Sequence, residues 1–215
     1  ACAMAGIISG VIMGSGLGYR ISSILTSVAG TSMLLLLVLT MVVSLIMGMG
    51  VPTTAAYLVL ASLVAPTMIQ LGIPPLAAHM FIFYFGCISS ITPPVALAAY
   101  AGAGLAGCDP NKTGYKAFRL AFCSFLMPYL FVYNPVLLME GGVLDILWSL
   151  VTALIGAYLL ASGFEGFFFR WSLKWFERPL MILGAVMLIV PGMVTDLVGI
   201  AIIVVEFVTE FMFKR

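Results

Sequence analysis

Charge is what this sequence lacks most. Only 8% of its 215 residues are Asp, Glu, Lys or Arg, and between Arg20 and Asp109 there is none. A soluble domain carries roughly 25% charged residues, so a surface facing water over most of its area is excluded. The composition, 63% hydrophobic with a mean hydropathy of +1.23, is that of an integral membrane protein. Period-two alternation is missing too, which excludes a transmembrane barrel and leaves helices. No basic run is present to contact nucleic acid, and a net charge of +1 carries no signal about partners. The single histidine, His79, rules out a His-rich metal site. The four cysteines, Cys2, Cys87, Cys108 and Cys123, lack C-x-x-C spacing and read as buried bystanders. No basic n-region or cleavage site opens the chain, so the first apolar run is not a signal peptide. Starting at Ala1 inside that run, the sequence reads as a fragment lacking an N-terminal part.

Enzyme signatures are also wanting. The run GSGLG at 14–18 does not have the G-x-S-x-G spacing of a nucleophile elbow, and His79 has no acid nearby to complete a serine protease. An intramembrane aspartyl protease needs paired aspartates, and the charge-free block contains none. The expectation is a protein that is not an enzyme and needs no cofactor.

What is present is a series of apolar runs between short charged islands at 109–119, 140–145, 165–178 and the terminal Lys214-Arg215. A bilayer core takes about 20 helical residues. Segments 120–139 and 146–164 have that length, and 4–18 resembles the tail of a span. Segments 32–47 and 53–69 are short and joined by GMGVP. Segment 76–107 is long and broken at Pro93-Pro94, and 180–212 is broken at Pro191-Gly192. Lysine and arginine concentrate in the islands 108–119 and 164–178, two crossings apart, which predicts that both face the cytoplasm and that the turn at 70–72 lies outside.

The two breaks at 48–54 and 89–94 are unusual inside an uncharged block. Opening a helix in lipid frees N–H and C=O groups, each costing several kcal/mol if unpaired, so such breaks persist only where protein, water or solute satisfies them. Gly48 and Gly50 permit a turn, and Pro52 suits the first position of a new helix. Thr53 and Thr54 then place hydroxyls in its first turn, which predicts a re-entrant hairpin over 32–69. The second break repeats the pattern: Ser89, Ser90 and Thr92 precede Pro93-Pro94, with Thr92 read as an N-cap and Pro93 at the first helical position. The carbonyl ends of incoming half-helices, with hydroxyl oxygens, can ligate a hard cation such as Na⁺, the ligands read here being Gly48, Gly50, Thr54, Ser90 and Thr92. The N–H ends of outgoing half-helices attract a carboxylate. Neither requires a buried formal charge.

Other residues weigh differently. His79 reads as a hydrogen-bonded packing residue or a proton relay. Asp196 is an acid deep in a hydrophobic stretch, a functional site or an interfacial residue beside Pro191-Gly192. Glu206, Glu210 and Lys214 fall at i,i+4 spacing, a plain helix-end stripe, and WSLKWFERP at 171–179 is an interfacial aromatic belt. A channel-like pore and a non-transporting membrane scaffold remain open from the residues alone.

The motifs GMGVPTTAAYLVLASLVAP, GIPPLAAHMFIFYFGCISSITPPVALAAYAGAGLAG and NPVLL closely resemble the large membrane subunit of TRAP transporters, the tripartite ATP-independent periplasmic family, over about residues 4–139. The stretch from His79 to Pro110 is similar to the subgroup served by TAXI-type binding proteins, whose membrane subunits are usually fused. The resemblance implies an all-α polytopic bundle of the bacterial or archaeal inner membrane, with a re-entrant hairpin and an unwound helix. It also implies Na⁺-coupled uptake, by an elevator-type motion, of organic acids delivered by a periplasmic binding protein. Gly48, Gly50, Pro52, Thr53 and Thr54 match the hairpin tip; Ser90, Thr92, Pro93 and Pro94 match the unwound helix. Residues 1–139 then form the second half of the transport region (hairpin 32–69, broken helix 76–107, span 120–139), with partners in a small subunit or fused N-terminal half. Residues 140–215 form a transmembrane extension.

Overall fold

The computed structural model describes residues 3, 6–7, 10–11, 14–30, 32–168, 171–190 and 192–213. The chain divides into two units, Ala1–Val132 and Tyr133–Arg215, whereas the sequence placed a boundary at 139–140. Pro191, Arg170, Cys2, Lys214 and Arg215, and the side chains of Glu206 and Glu210, lie outside the described residues.

The first unit is built from short helices: α1 (Leu17–Ala29), α2 (Met33–Gly48), α3 (Thr53–Leu63), α4 (Ala65–Gln70), α5 (Pro75–Ile88), α6 (Leu97–Ala106) and α7 (Pro110–Ala121), with α8 (Met127–Tyr133) running to the boundary. Their ends follow local chemistry. The Ser32 side chain accepts from the Leu35 N–H at the start of α2. Gly107, with φ 65°, closes α6, and Asp109 caps α7 by accepting from the Lys112 N–H at 2.9 Å, with Pro110 next. A left-handed stop, an acidic cap and a proline in four residues make a sharp corner.

Helix α5 is the centre of this unit, packing on α2 and α3. Its Ala77, Ala78, Phe81, Ile82 and Phe85 are fully buried. Tyr129 of α8 sets its ring edge-to-face against Phe81 and Phe85 at 5.3 and 6.1 Å, within the range where aromatic pairs attract beyond their area. In lipid the hydrophobic effect does not drive one helix against another; close van der Waals packing does, and small residues such as Ala77 and Ala78 allow it.

The segment 120–139, expected as one span, is instead the end of α7, a 3₁₀ turn at Phe122–Phe125, α8, and a second 3₁₀ turn at Pro135–Leu138. Pro128 and Pro135 each remove a backbone donor, so an unbroken α-helical ladder cannot run through both. Segment 53–69 is likewise divided at Val64, just before Pro66.

The second unit contains α9 (Val143–Glu165), α10 (Glu177–Ile189) and α11 (Met193–Phe213). Glycines set its packing. A Cβ on Gly156 would meet Ile189 at 2.5 Å, and one on Gly163 would meet Ile182 at 2.7 Å, so α9 and α10 run antiparallel in near-backbone contact. Gly199 lies as tightly against Leu188 and the Gly184 carbonyl, which makes α11 antiparallel to α10. A small hairpin, Phe167–Phe168 paired with Trp171–Ser172, joins α9 to α10; it is an exception to the all-α expectation and occupies part of the predicted aromatic belt. Lys174 lies over the Phe176 ring at 5.6 Å. Among the described residues one helix is long and apolar enough to cross a membrane, α9, with 23 residues and a hydropathy of 2.0.

Candidate functional site

Both predicted breaks are present in the backbone. Helix α2 stops at Gly48; Met49 is extended, Gly50 takes φ 76°, and Pro52 precedes Thr53, the first residue of α3. A left-handed φ is one that glycine adopts without strain, so Gly50 is where the chain can reverse. Pro52 sits one position earlier than anticipated, at the cap rather than inside the helix.

At the second break α5 gives way to a 3₁₀ turn over Ser89–Ile91, and α6 begins only at Leu97. Thr92 does not cap the outgoing helix. Its hydroxyl donates back to the Ile88 carbonyl at 2.8 Å, while Ser90 donates to Cys87 at 2.8 Å and Ser89 to Gly86 at 2.6 Å. The three hydroxyls thus bind the last carbonyls of α5, groups a helix end leaves without N–H partners. Pro93-Pro94 is a cis peptide, and Ala96, with φ 34°, leads into α6. The correction has a simple cause: two prolines and two further residues, Val95 and Ala96, turn the chain before the helix restarts at Leu97. Tyr100 of α6 ties the turn down by donating to the Pro94 carbonyl at 3.0 Å.

The two breaks meet. A Cβ on Gly48 would lie 2.9 Å from the Ser89 Cβ and 3.3 Å from the Gly86 carbonyl oxygen, so the end of α2 packs directly on the end of α5. Each helix brings its carbonyl pole, roughly half a negative charge, to the same place. The hydroxyls there donate their protons to carbonyls and retain oxygen lone pairs. Gly48, Ser89 and Thr92 are buried; Ser90, Pro93 and Thr53 are half-buried; Gly50, Pro52, Thr54 and Pro94 are exposed. Among the described residues no hydrogen bond joins Thr53 or Thr54 to the second break.

The structure adds two residues that the sequence reading did not single out. Thr40 and Ser44 are fully buried, and their hydroxyl oxygens have no hydrogen-bond partner. With Gly48 they recur every fourth residue on the buried face of α2. That spacing was visible in the sequence, but only packing against α5 distinguishes a buried stripe from a lipid-facing one. His79 accepts or donates a 3.1 Å hydrogen bond between Nδ1 and the Tyr57 hydroxyl, with the rings edge-on at 6.1 Å, the geometry of a packed, partnered histidine. In the second unit Asp196 is 7% exposed and accepts from the Trp148 indole N–H at 2.8 Å.

Comparison with known families returns one finding. The chain matches the family model described as the tripartite ATP-independent periplasmic transporter, DctM component, over residues 1–146. No curated protein and no solved structure matches it. The match includes both helix breaks and the whole charge-free block. The chain belongs to the DctM family of membrane components of TRAP transporters.

Proposed function

We propose that this permease component is sodium-coupled, that it takes up organic acids delivered by a TAXI-type periplasmic binding protein, and that it holds both ion and substrate at the two helix breaks. DctM components act with a periplasmic binding protein and a small membrane subunit; in this reading the membrane partner is a small subunit or a fused N-terminal half. The observation that carries the reading is the contact of Gly48 with Ser89, which sets two carbonyl poles and three hydroxyls side by side with no fixed charge. A small hard cation is the ligand that such neutral oxygens suit. Gly48, Gly50, Thr54, Ser90 and Thr92 supply the Na⁺ oxygens. The N–H ends of α3, after Pro52, and α6, beyond Pro93-Pro94, lie next along the chain and favour a carboxylate. In this reading α2 to α4 (residues 32–69) form the re-entrant hairpin, α5–α6 is the unwound helix, and the chain is multi-pass in the inner membrane. Thr40 and Ser44 continue the polar face toward the break.

The test is Na⁺-driven uptake in proteoliposomes containing the complete permease and its binding protein. Thr92→Val and Ser90→Ala should raise the Na⁺ concentration for half-maximal uptake roughly tenfold, the loss of about one ligand-strength interaction. Thr92→Ser should restore it. Unchanged Na⁺ activation in both variants would overturn the ion assignment, and a steady current without added solute would replace the carrier by a pore.

A further inference from the structure

The second unit holds a groove that the transport reading does not use. It has a volume of about 550 Å³ and lies where the start of α9, the end of α10 and the start of α11 come together. That volume is within the range of small-molecule sites. Its walls are mainly aliphatic, with Leu188, Ile189, Leu197 and Ile200 among them. Asp196 and Asn134 are the polar exceptions that matter. Asp196 is in the first turn of α11 and receives the Trp148 N–H, two supports for negative charge in an apolar setting. Among the described residues no Lys, Arg or His forms an ion pair with it. Asn134 is 4% exposed, and its carbonyl oxygen has no hydrogen-bond partner, a costly state unless something donates to it.

We propose that this groove binds a primary ammonium group carried on an apolar body. Each alternative leaves a part of the groove unsatisfied. An anion would meet the Asp196 carboxylate. A bare metal ion would leave the aliphatic walls unfilled. A quaternary ammonium has no N–H to give to Asn134. A neutral alcohol would leave Asp196 without a counter-charge. A primary ammonium offers three donors, enough for the carboxylate, the Asn134 oxygen and one lining hydroxyl of Ser149 or Thr152, and its apolar part covers the aliphatic wall. Trp148, also in the lining, adds a ring suited to a cation. Two sources present this chemistry: the ethanolamine headgroup of a lipid, and a free alkylamine.

Calorimetric titration of the complete permease in maltoside micelles with n-octylammonium tests the proposal. Saturable binding is expected, at least about tenfold tighter than that of n-octanol or octyltrimethylammonium, since a charge-assisted hydrogen bond is worth roughly 1.5–3 kcal/mol. Asp196→Asn should weaken it by a similar factor. Leu197→Trp, which fills the groove and keeps the carboxylate, should abolish it. Thermal unfolding of both variants checks that the unit is intact. Native mass spectrometry of protein extracted from membranes separates the sources: phosphatidylethanolamine retained by the parent and lost from Asp196→Asn identifies the lipid, and octylammonium binding without retained lipid identifies a free amine. Equal affinity for the three probes, or unaltered binding by a folded Asp196→Asn, overturns the proposal.

Discussion

The two units of this chain handle polarity inside an apolar environment in opposite ways. Residues 1–132 break their helices and leave carbonyl ends, N–H ends and hydroxyls at the breaks, with every charge absent from Ile21 to Cys108. Residues 133–215 keep α9 whole for 23 residues, and their buried polar side chains include, besides Thr152 and Ser162, the acids Asp196 and Glu177 and the amide Asn134. Glu177, for example, accepts from the Lys174 N–H at 2.6 Å at the other end of the bundle. Backbone dipoles are weak but movable, because a turn can open and close around a ligand. A side-chain charge on a straight helix is strong and fixed. The difference is one of kind: backbone poles and hydroxyls at helix ends in the first unit, ionisable and amide side chains on packed helices in the second.

The contrast is most severely tested where the first unit is tightest. Gly48→Val forces atoms into Ser89 and the Gly86 carbonyl, so Na⁺-driven uptake should vanish and stability fall by about 2–3 kcal/mol, read by transport assay and thermal unfolding. In the second unit, Gly156→Ala collides with Ile189 and the Ala185 carbonyl. A loss of about 1–3 kcal/mol is expected, with the Na⁺ dependence of the remaining uptake unchanged. Trp148→Phe removes one donor to Asp196, for a loss of about 1.5–3 kcal/mol by unfolding; the half-maximal Na⁺ concentration should hold. Thr40→Val deletes a buried hydroxyl without a partner. If the first unit keeps its polar face for transport, this change leaves stability equal or higher by about 1 kcal/mol while slowing uptake. Faster or unchanged uptake would make Thr40 a packing residue only. The smallest effect belongs to Tyr57→Phe, which removes the bond to His79 and should reduce stability by about 1 kcal/mol with uptake intact.

Several features were legible before any coordinates. The absence of charge marked a membrane protein, and Gly50, Pro52 and Pro93-Pro94 marked the two places where helices stop, because backbone strain and missing donors act within a few residues. Helix α9 was readable from its length and apolarity. Less legible were the positions where proline acts on a segment already committed to helix: 120–139 contains Pro128 and Pro135, yet its hydropathy is continuous, so hydropathy predicted one span where the backbone forms four pieces. Thr92 was misread because a Ser or Thr hydroxyl can accept from an N–H at the start of a following helix or donate to a carbonyl at the end of a preceding one, and the choice depends on where the next helix begins.

From the residues alone came the solvent, the helical class and the breaks, each following from local stereochemistry or from the cost of burying charge; the family came from the resemblance of the motifs that surround those breaks. Packing alone decided that Gly48 touches Ser89, that Thr40 and Ser44 face inward, and that Asp196 shares a groove with Asn134. Those contacts join residues tens of positions apart, and which faces meet depends on how whole helices fit together, a property that no short window of sequence contains.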